Sequence, residues 1–218
     1  MCGRYVRKDN AHLVYSFFEI NDIRVPWEPS FNVAPSTQIP VLRETSGSRE
    51  LVEMRWGLRP AWAAADKKLP LMHNARAETV ASLPSYRNAL ITRRCIVPAS
   101  GYFEWMAGVT KQPYYFERAD GFPIGFAGIW EWNEAAGETV SIITTSPNAE
   151  AGKVHDRIPV ILRRGFWKRW FEPEPLSDEE RHRMLIPAPD GALHVFPVSR
   201  DVGNVRNNYP ELLERIQA

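Results

Sequence analysis

Cysteine is scarce in this sequence: the 218 residues hold two, Cys2 and Cys95. Two cysteines form at most one bridge, and the five histidines (His12, His73, His155, His182, His194) lack metal-ligand spacing, so a disulfide scaffold and a four-ligand zinc site are both excluded. Both cysteines read as free thiols, and no metal or other cofactor is implied. An excess of charge of one sign is also missing. Lys and Arg number 27 against 26 Asp and Glu, a net charge of +1, so composition exerts no overall pull toward nucleic acid or membrane, and any DNA site must be a local patch. No apolar stretch approaches the roughly 20 residues that cross a bilayer; even Val160 to Leu162 is followed at once by Arg163 and Arg164. The start, Met1-Cys2-Gly3-Arg4, has neither the basic segment nor the apolar run of a secretory signal. These absences predict a soluble, cytoplasmic protein without a membrane partner, nucleoid-associated when engaged on DNA; a monomer is expected, though the sequence does not speak to oligomeric state.

What is present is enough apolar and aromatic sequence, 44% and 11%, to bury a core within one domain spanning residues 1–218. Cys2 to Arg7 reads as a short strand. Asn10 to Glu19 places Leu13, Val14, Phe17 and Phe18 at helical spacing behind Asp9 or Asn10 as N-cap. Val25 to Pro35, with three prolines, reads as an extended loop. Ile39 to Arg43 and Leu51 to Trp56 read as a hairpin turned by Thr45 to Arg49, and Gly57 to Ala65 reads as a loop carrying Trp62. Ser85 to Leu90 predicts a short helix. Short apolar runs at Cys95 to Pro98, Gly101 to Met106, Tyr114 to Glu117, Ile124 to Glu131 and Thr139 to Thr145 predict a β-rich middle. Arg164 to Phe171 and Ser177 to Leu185 read as helices, the second with a capping box from Ser177 to Glu180, and Leu193 to Val198 closes as a strand. Strands and helices interleave in a mixed α+β domain, with the 18 prolines expected to fix many loops around the sheet.

Position gives Cys2 its chemical interest. Removal of Met1 would expose an α-amine of pKa about 7.7 to 8.0 beside a thiol of about 8.5, both partly nucleophilic near neutrality. The amine can form a Schiff base with an aldehyde, and the thiol can add to the imine carbon and close a five-membered thiazolidine ring. Cys2 reads equally well as a small buried strand residue. In "HNARAET", Asn74 and Arg76 fall on one face of an extended segment. Arg76 with Arg4 offers forked donors for phosphate oxygens, against the plainer reading of a surface salt bridge. Glu104 sits among Tyr102, Phe103 and Trp105, an environment that desolvates it and favours the protonated form, unless it is a carboxylate bonded within the core. His155, in "VHDRIPV", is a candidate general acid or base or a structural histidine. Trp62 and Pro35, with Arg55, Arg59, Arg93 and Arg94, are candidates for a single-strand groove, and Cys95 in "CIVPA" reads as an inert core thiol.

Taken together and in order, "MCGRY", "FNVAPS", "MRWGLRPAW", "HNARAET", "CIVPASGYFEW", "KQPYYF", "VHDRIPVIL" and "VSRDVGNVRN" resemble the SRAP family, named for SOS-response-associated peptidases, over nearly the whole chain. The resemblance implies a curved, barrel-like β core with flanking helices and a positively charged cleft over an accessible Cys2. It implies that Cys2 crosslinks to the ring-opened sugar of an abasic site in single-stranded DNA. On that reading Asn74 positions the sugar or the terminus, Glu104 handles protons during imine formation, and His155 assists sugar opening and crosslink reversal. Arg4 and Arg76 hold flanking phosphates, and Thr144 or Thr145, in "IITTSPN", lies near the site. Two other readings stand beside it: a thiol peptidase using Cys2 with His155 and Glu104, in its simplest form removing Met1 from itself, and a non-covalent single-strand binding module.

Overall fold

A computed structural model describes residues 2–66, 68–108 and 111–217. In chain order the elements are β1 (Tyr5–Arg7), α1 (Ala11–Phe18), β2 (Asp22–Ile23), β3 (Ser30–Val33), β4 (Gln38–Thr45), β5 (Ser48–Trp56), β6 (Asn74–Arg76), α2 (Arg87–Thr92), β7 (Arg94–Ala99), β8 (Gly101–Trp105), β9 (Pro113–Arg118), β10 (Ile124–Asn133) and β11 (Gly137–Thr145), followed by β12 (Ile158–Pro159), α3 (Trp167–Phe171), α4 (Asp178–Met184) and β13 (Leu193–Pro197).

The β4–β5 hairpin shows how local chemistry sets register. Its two-residue turn, Ser46-Gly47, has φ values of 52° and 79°, and left-handed backbone at both central positions matches the twist of the flanking strands. Thr45 therefore faces Ser48, and the ladder continues to Gln38 opposite Arg55. β4 joins β7, β7 joins β10, and β10 joins β11. β11 then runs parallel to β5 at Thr139–Arg55 and Val140–Trp56, which closes a five-stranded ring. A second sheet has the order β13-β9-β8-β1-β3. The fold is thus the mixed α+β, barrel-like architecture expected.

Side-chain alternation sorts the barrel strands into two cores. Val41, Cys95, Val97, Phe126, Val140 and Ile142 pack with Cys2, Tyr5 and Tyr102. Leu42, Ile96, Ile129 and Ile143, one position along, pack with Phe18, Leu90, Trp167 and Trp170 from the helices. Strands buried on both faces need apolar residues at every position, which is why "CIVPA" carries no alternation. The outer face of the second sheet, with Val6, Phe103 and Tyr115, is covered by Val198, Val202 and Leu212 near the C-terminus.

Most element boundaries agree with the sequence reading. Asn10, rather than Asp9, caps α1 through a bond from the Leu13 N–H at 2.9 Å, and the Ser177–Glu180 capping box is formed at α4. Val25 to Pro35 differs, because Ser30–Val33 is a strand paired with β1. Its prolines, Pro29 and Pro35, flank the strand and leave its own amides intact for pairing. Prolines are also not confined to loops, since Pro40 and Pro98 lie within β4 and β7.

Candidate functional site

β6 is the element on which the site turns. It runs parallel to β11 with Ile142 opposite Asn74, Ile143 opposite Ala75 and Thr144 opposite Arg76. Ala75 points into the helix-side core, so period-two alternation turns Asn74 and Arg76 together to the opposite face, the one shared with Cys2. There Asn74 Nδ2 donates to the Cys2 carbonyl at 2.9 Å. The backbone of this segment is fixed from both sides: Tyr86 Oη, from the helix-side core, donates to the Asn74 carbonyl at 3.2 Å and Trp56 Nε1, from the Cys2-side core, to the His73 carbonyl at 2.9 Å.

Cys2 is fully buried, where the sequence reading had it accessible. Tight packing between the two sheets encloses the side chain, and burial, with the negative charge of Glu104 adding to it, pushes the thiol far above its usual range. Cys95 is likewise buried, with its thiol raised by burial, and both cysteines are free thiols.

Glu104 is 2% exposed, and burial raises its carboxyl to about 7. His155 Nε2 lies 3.9 Å from Glu104 Oε2. On the other side of the ring, Nδ1 accepts the Arg157 backbone N–H at 3.0 Å and lies 2.9 Å from Asp156 Oδ1. These two contacts on Nδ1 conflict for a neutral ring. A backbone N–H can only donate, so we assign the lone pair to Nδ1 and the proton to Nε2, facing Glu104; the Asp156 carboxylate, 86% exposed, is free to swing away. Burial lowers the His155 pKa, which favours that neutral form.

Arg157 anchors this loop and was not singled out from the sequence. Its guanidinium makes a bidentate pair with Glu78, at 2.6 and 2.9 Å, and donates to the Thr144 carbonyl at 2.6 Å. Sequence reasoning also passed over the hydroxyls of Tyr5 and Tyr102. These two residues are directly paired across β1 and β8, are fully buried, and make no hydrogen bond through their hydroxyls among the described residues. Buried polar atoms left unpaired in this way are uncommon in folded proteins. No sequence signal separates them from ordinary core tyrosines.

The remaining candidates divide. Arg76 is exposed on the Cys2 side of β6, and Trp62 is 54% exposed. The Trp62 loop is held by buried side chains at the end of β10: Asn133 donates to the carbonyls of Pro60 and Ala63 at 3.0 and 2.9 Å, and Glu131 accepts the Ala61 N–H at 3.2 Å. Pro35 is half-buried in a turn with Ser36, whose N–H reaches the Trp56 carbonyl at 2.7 Å. Arg4 is engaged internally, donating to Asn32 Oδ1 at 3.0 Å and to the Val202 carbonyl at 3.3 Å, so its fork is largely occupied by the protein itself. Thr144 and Thr145 are both buried; alternation from Ile143 puts Thr144 on the Cys2 side and Thr145 on the helix side.

Of the four groove arginines, Arg94 is corrected outright. It is 4% exposed and donates to the carbonyls of Leu90, Ile91, Trp170, Glu172 and Glu174. Arg93 is bonded to Glu131, Arg59 donates to the carbonyls of Ala64 and Ala65, and Arg55 is exposed. Glu78 of "HNARAET" forms its salt bridge with Arg157, outside the segment, rather than with Arg76. Among the described residues no cluster of three or more His, Cys, Asp or Glu has the arrangement to hold a metal ion, and no helix is long and apolar enough to cross a membrane.

Comparison with known proteins places this arrangement in context. The chain is 35% identical to the abasic site processing protein YoaM of Bacillus subtilis, over 98% of both chains. It is 33% identical to the abasic site processing protein YedK of Escherichia coli, over 99% of this chain and all of that one. It is 31% identical to the abasic site processing protein HMCES of Gallus gallus, over 88% of this chain and 67% of the other. Among solved structures, a protein from Bacteroides thetaiotaomicron superposes with a TM-score of 0.86 at 26% identity, covering 99% of this chain and all of that one. Residues 1–205 match the family described as SOS response associated peptidase (SRAP), and the chain belongs to that family.

Proposed function

We propose that this protein processes abasic sites in single-stranded DNA by forming a thiazolidine crosslink through Cys2 after Met1 is removed. The observation that carries the reading is the bond from Asn74 to the Cys2 carbonyl, which holds the N-terminal segment by the buried Glu104 and the half-buried His155. The names of the relatives, abasic site processing proteins, supply the substrate class.

The reaction follows from the groups present. The freed amine of Cys2 attacks the aldehyde of the ring-opened sugar to give a carbinolamine, and loss of water leaves an imine. Sulfur then bonds to the carbon of the protonated imine while the thiol proton returns to the acid that assisted loss of water, so the sum is aldehyde plus aminothiol giving ring plus water. A thiol held neutral by burial needs a base at the moment of attack. A carboxyl near 7 is present in both protonation states at neutral pH, so Glu104 can protonate the leaving hydroxyl and then accept the thiol proton. His155 presents its Nε2–H toward Glu104, 3.9 Å away, where it favours the carboxylate form, and serves the ring-opening and reversal steps. Arg76, Trp62 and Pro35 contact the strand; Arg4 acts mainly by fixing the C-terminal segment beneath the site.

The test uses protein whose intact mass confirms Met1 removal, incubated with single-stranded DNA carrying one abasic site. A heat-stable adduct on the N-terminal peptide is expected, absent in Cys2→Ala. Its absence from the processed wild type, with binding indifferent to the lesion, would leave a non-covalent binding module instead. Retention of Met1 in Glu104→Gln would identify self-removal, the peptidase reading.

A further inference from the structure

A cavity of about 680 Å³ lies outside the Cys2 site and is lined by neighbours of Glu104 and His155. Strand register establishes the connection. Tyr114 lies directly opposite Glu104 across β8 and β9, and cross-strand partners project to the same face. Met106, two positions beyond Glu104, and Val195, opposite Phe116, fall on that face as well and line the cavity. On the far wall stands Val154, the residue before His155. The groove therefore leads away from the Glu104–His155 pair between the β13 side of the second sheet and the segment preceding His155.

Its lining has the chemistry of a nucleotide track. Lys153 and Arg215 are exposed at its rim, with His194 beside them. The one carboxylate among the lining residues, Glu150, accepts the Gly191 N–H at 2.7 Å. Tyr114 offers a half-exposed ring. Point cations with an aromatic face suit a phosphate and the base attached to it, and the volume lies within the range of small-ligand sites.

We propose that this groove binds the nucleotide next to the abasic site, with Lys153 and Arg215 on its phosphates and Tyr114 stacked on its base. The assignment rests on the reading of Cys2 as the group that reacts with DNA. It gives the protein a means to prefer a lesion embedded in a strand over a free sugar aldehyde of the same reactivity.

Crosslinking rates with a short abasic oligonucleotide and with 2-deoxyribose 5-phosphate provide the first measurement. Their ratio falls about tenfold in Lys153→Ala/Arg215→Ala, and Lys153→Arg/Arg215→Lys keeps it. The second measurement is non-covalent binding of an intact single strand, where the plot of log K against log salt becomes shallower by about 1.4 in the double alanine variant, two phosphate contacts at about 0.7 each. Tyr114→Ala lowers that affinity about tenfold without changing the slope. An unchanged rate ratio and an unchanged slope in the double variant overturn the groove assignment. Failure of the wild type to crosslink either aldehyde overturns the Cys2 chemistry instead, and the salt slope still decides the groove.

Discussion

Asn74 donates its side-chain amide to the main-chain carbonyl of Cys2, tying together residues 72 positions apart. The bond falls on the residue's backbone, so it orients the terminus without itself engaging the thiol or the amine of a processed Cys2. Asn74 Oδ1 is buried and has no hydrogen-bond partner among the described residues, which leaves an acceptor for substrate in the same place.

Asn74→Ala removes one hydrogen bond of about 1 kcal/mol, and the single-turnover crosslinking rate is expected to fall at least about fivefold with circular dichroism unchanged. Asn74→Asp is expected to be worse, because a carboxylate oxygen then opposes the Cys2 carbonyl. A rate equal to wild type in both variants would remove Asn74 from the site.

Glu104 makes stability depend on pH in a definite direction. A carboxyl raised from 4.5 to about 7 prefers to be protonated in the folded state, so its contribution is intact below about 4.5 and is lost as pH rises through about 7. The full loss is roughly 3 kcal/mol at 1.36 kcal/mol per pH unit. Glu104→Gln should therefore melt like wild type near pH 4 and above it near pH 8, by roughly 6–12 °C for a chain of this size. Thermal melts at the two pH values check this; equal differences at both would contradict the burial argument.

Arg94 is a structural cation whose fork closes the carbonyl ends of α2 and α3. Arg94→Met strands several buried carbonyls and is expected to cost about 3 kcal/mol or more, read as a lower urea midpoint. Arg94→Lys should recover little, since an ammonium cannot span the same five acceptors. A midpoint within error of wild type for either variant would refute this role.

Much of the fold was legible locally. Caps, turns and apolar runs lie within a few residues of each other, so a cap at Asp9 or Asn10, a turn within Thr45 to Arg49 and the Ser177–Glu180 box could be read directly. The Ser30–Val33 strand was not, because flanking prolines mask a segment whose pairing partner lies elsewhere in the chain. Arginines were the least legible class. A guanidinium serves a backbone carbonyl as readily as a phosphate, and nothing in the residues next to Arg94 or Arg4 distinguishes the two.

The sequence alone determined that Cys2 follows Met1 and that Glu104 sits in an apolar strand, because covalent order and neighbouring side chains are local properties. Only the tertiary structure decided that β6 carries Asn74 to the Cys2 carbonyl, that His155 meets Glu104, and that the Cys2 thiol is enclosed. Those facts depend on β11 pairing with β5 and β6 across distant stretches of chain, and such pairing is selected by the packing of the whole core.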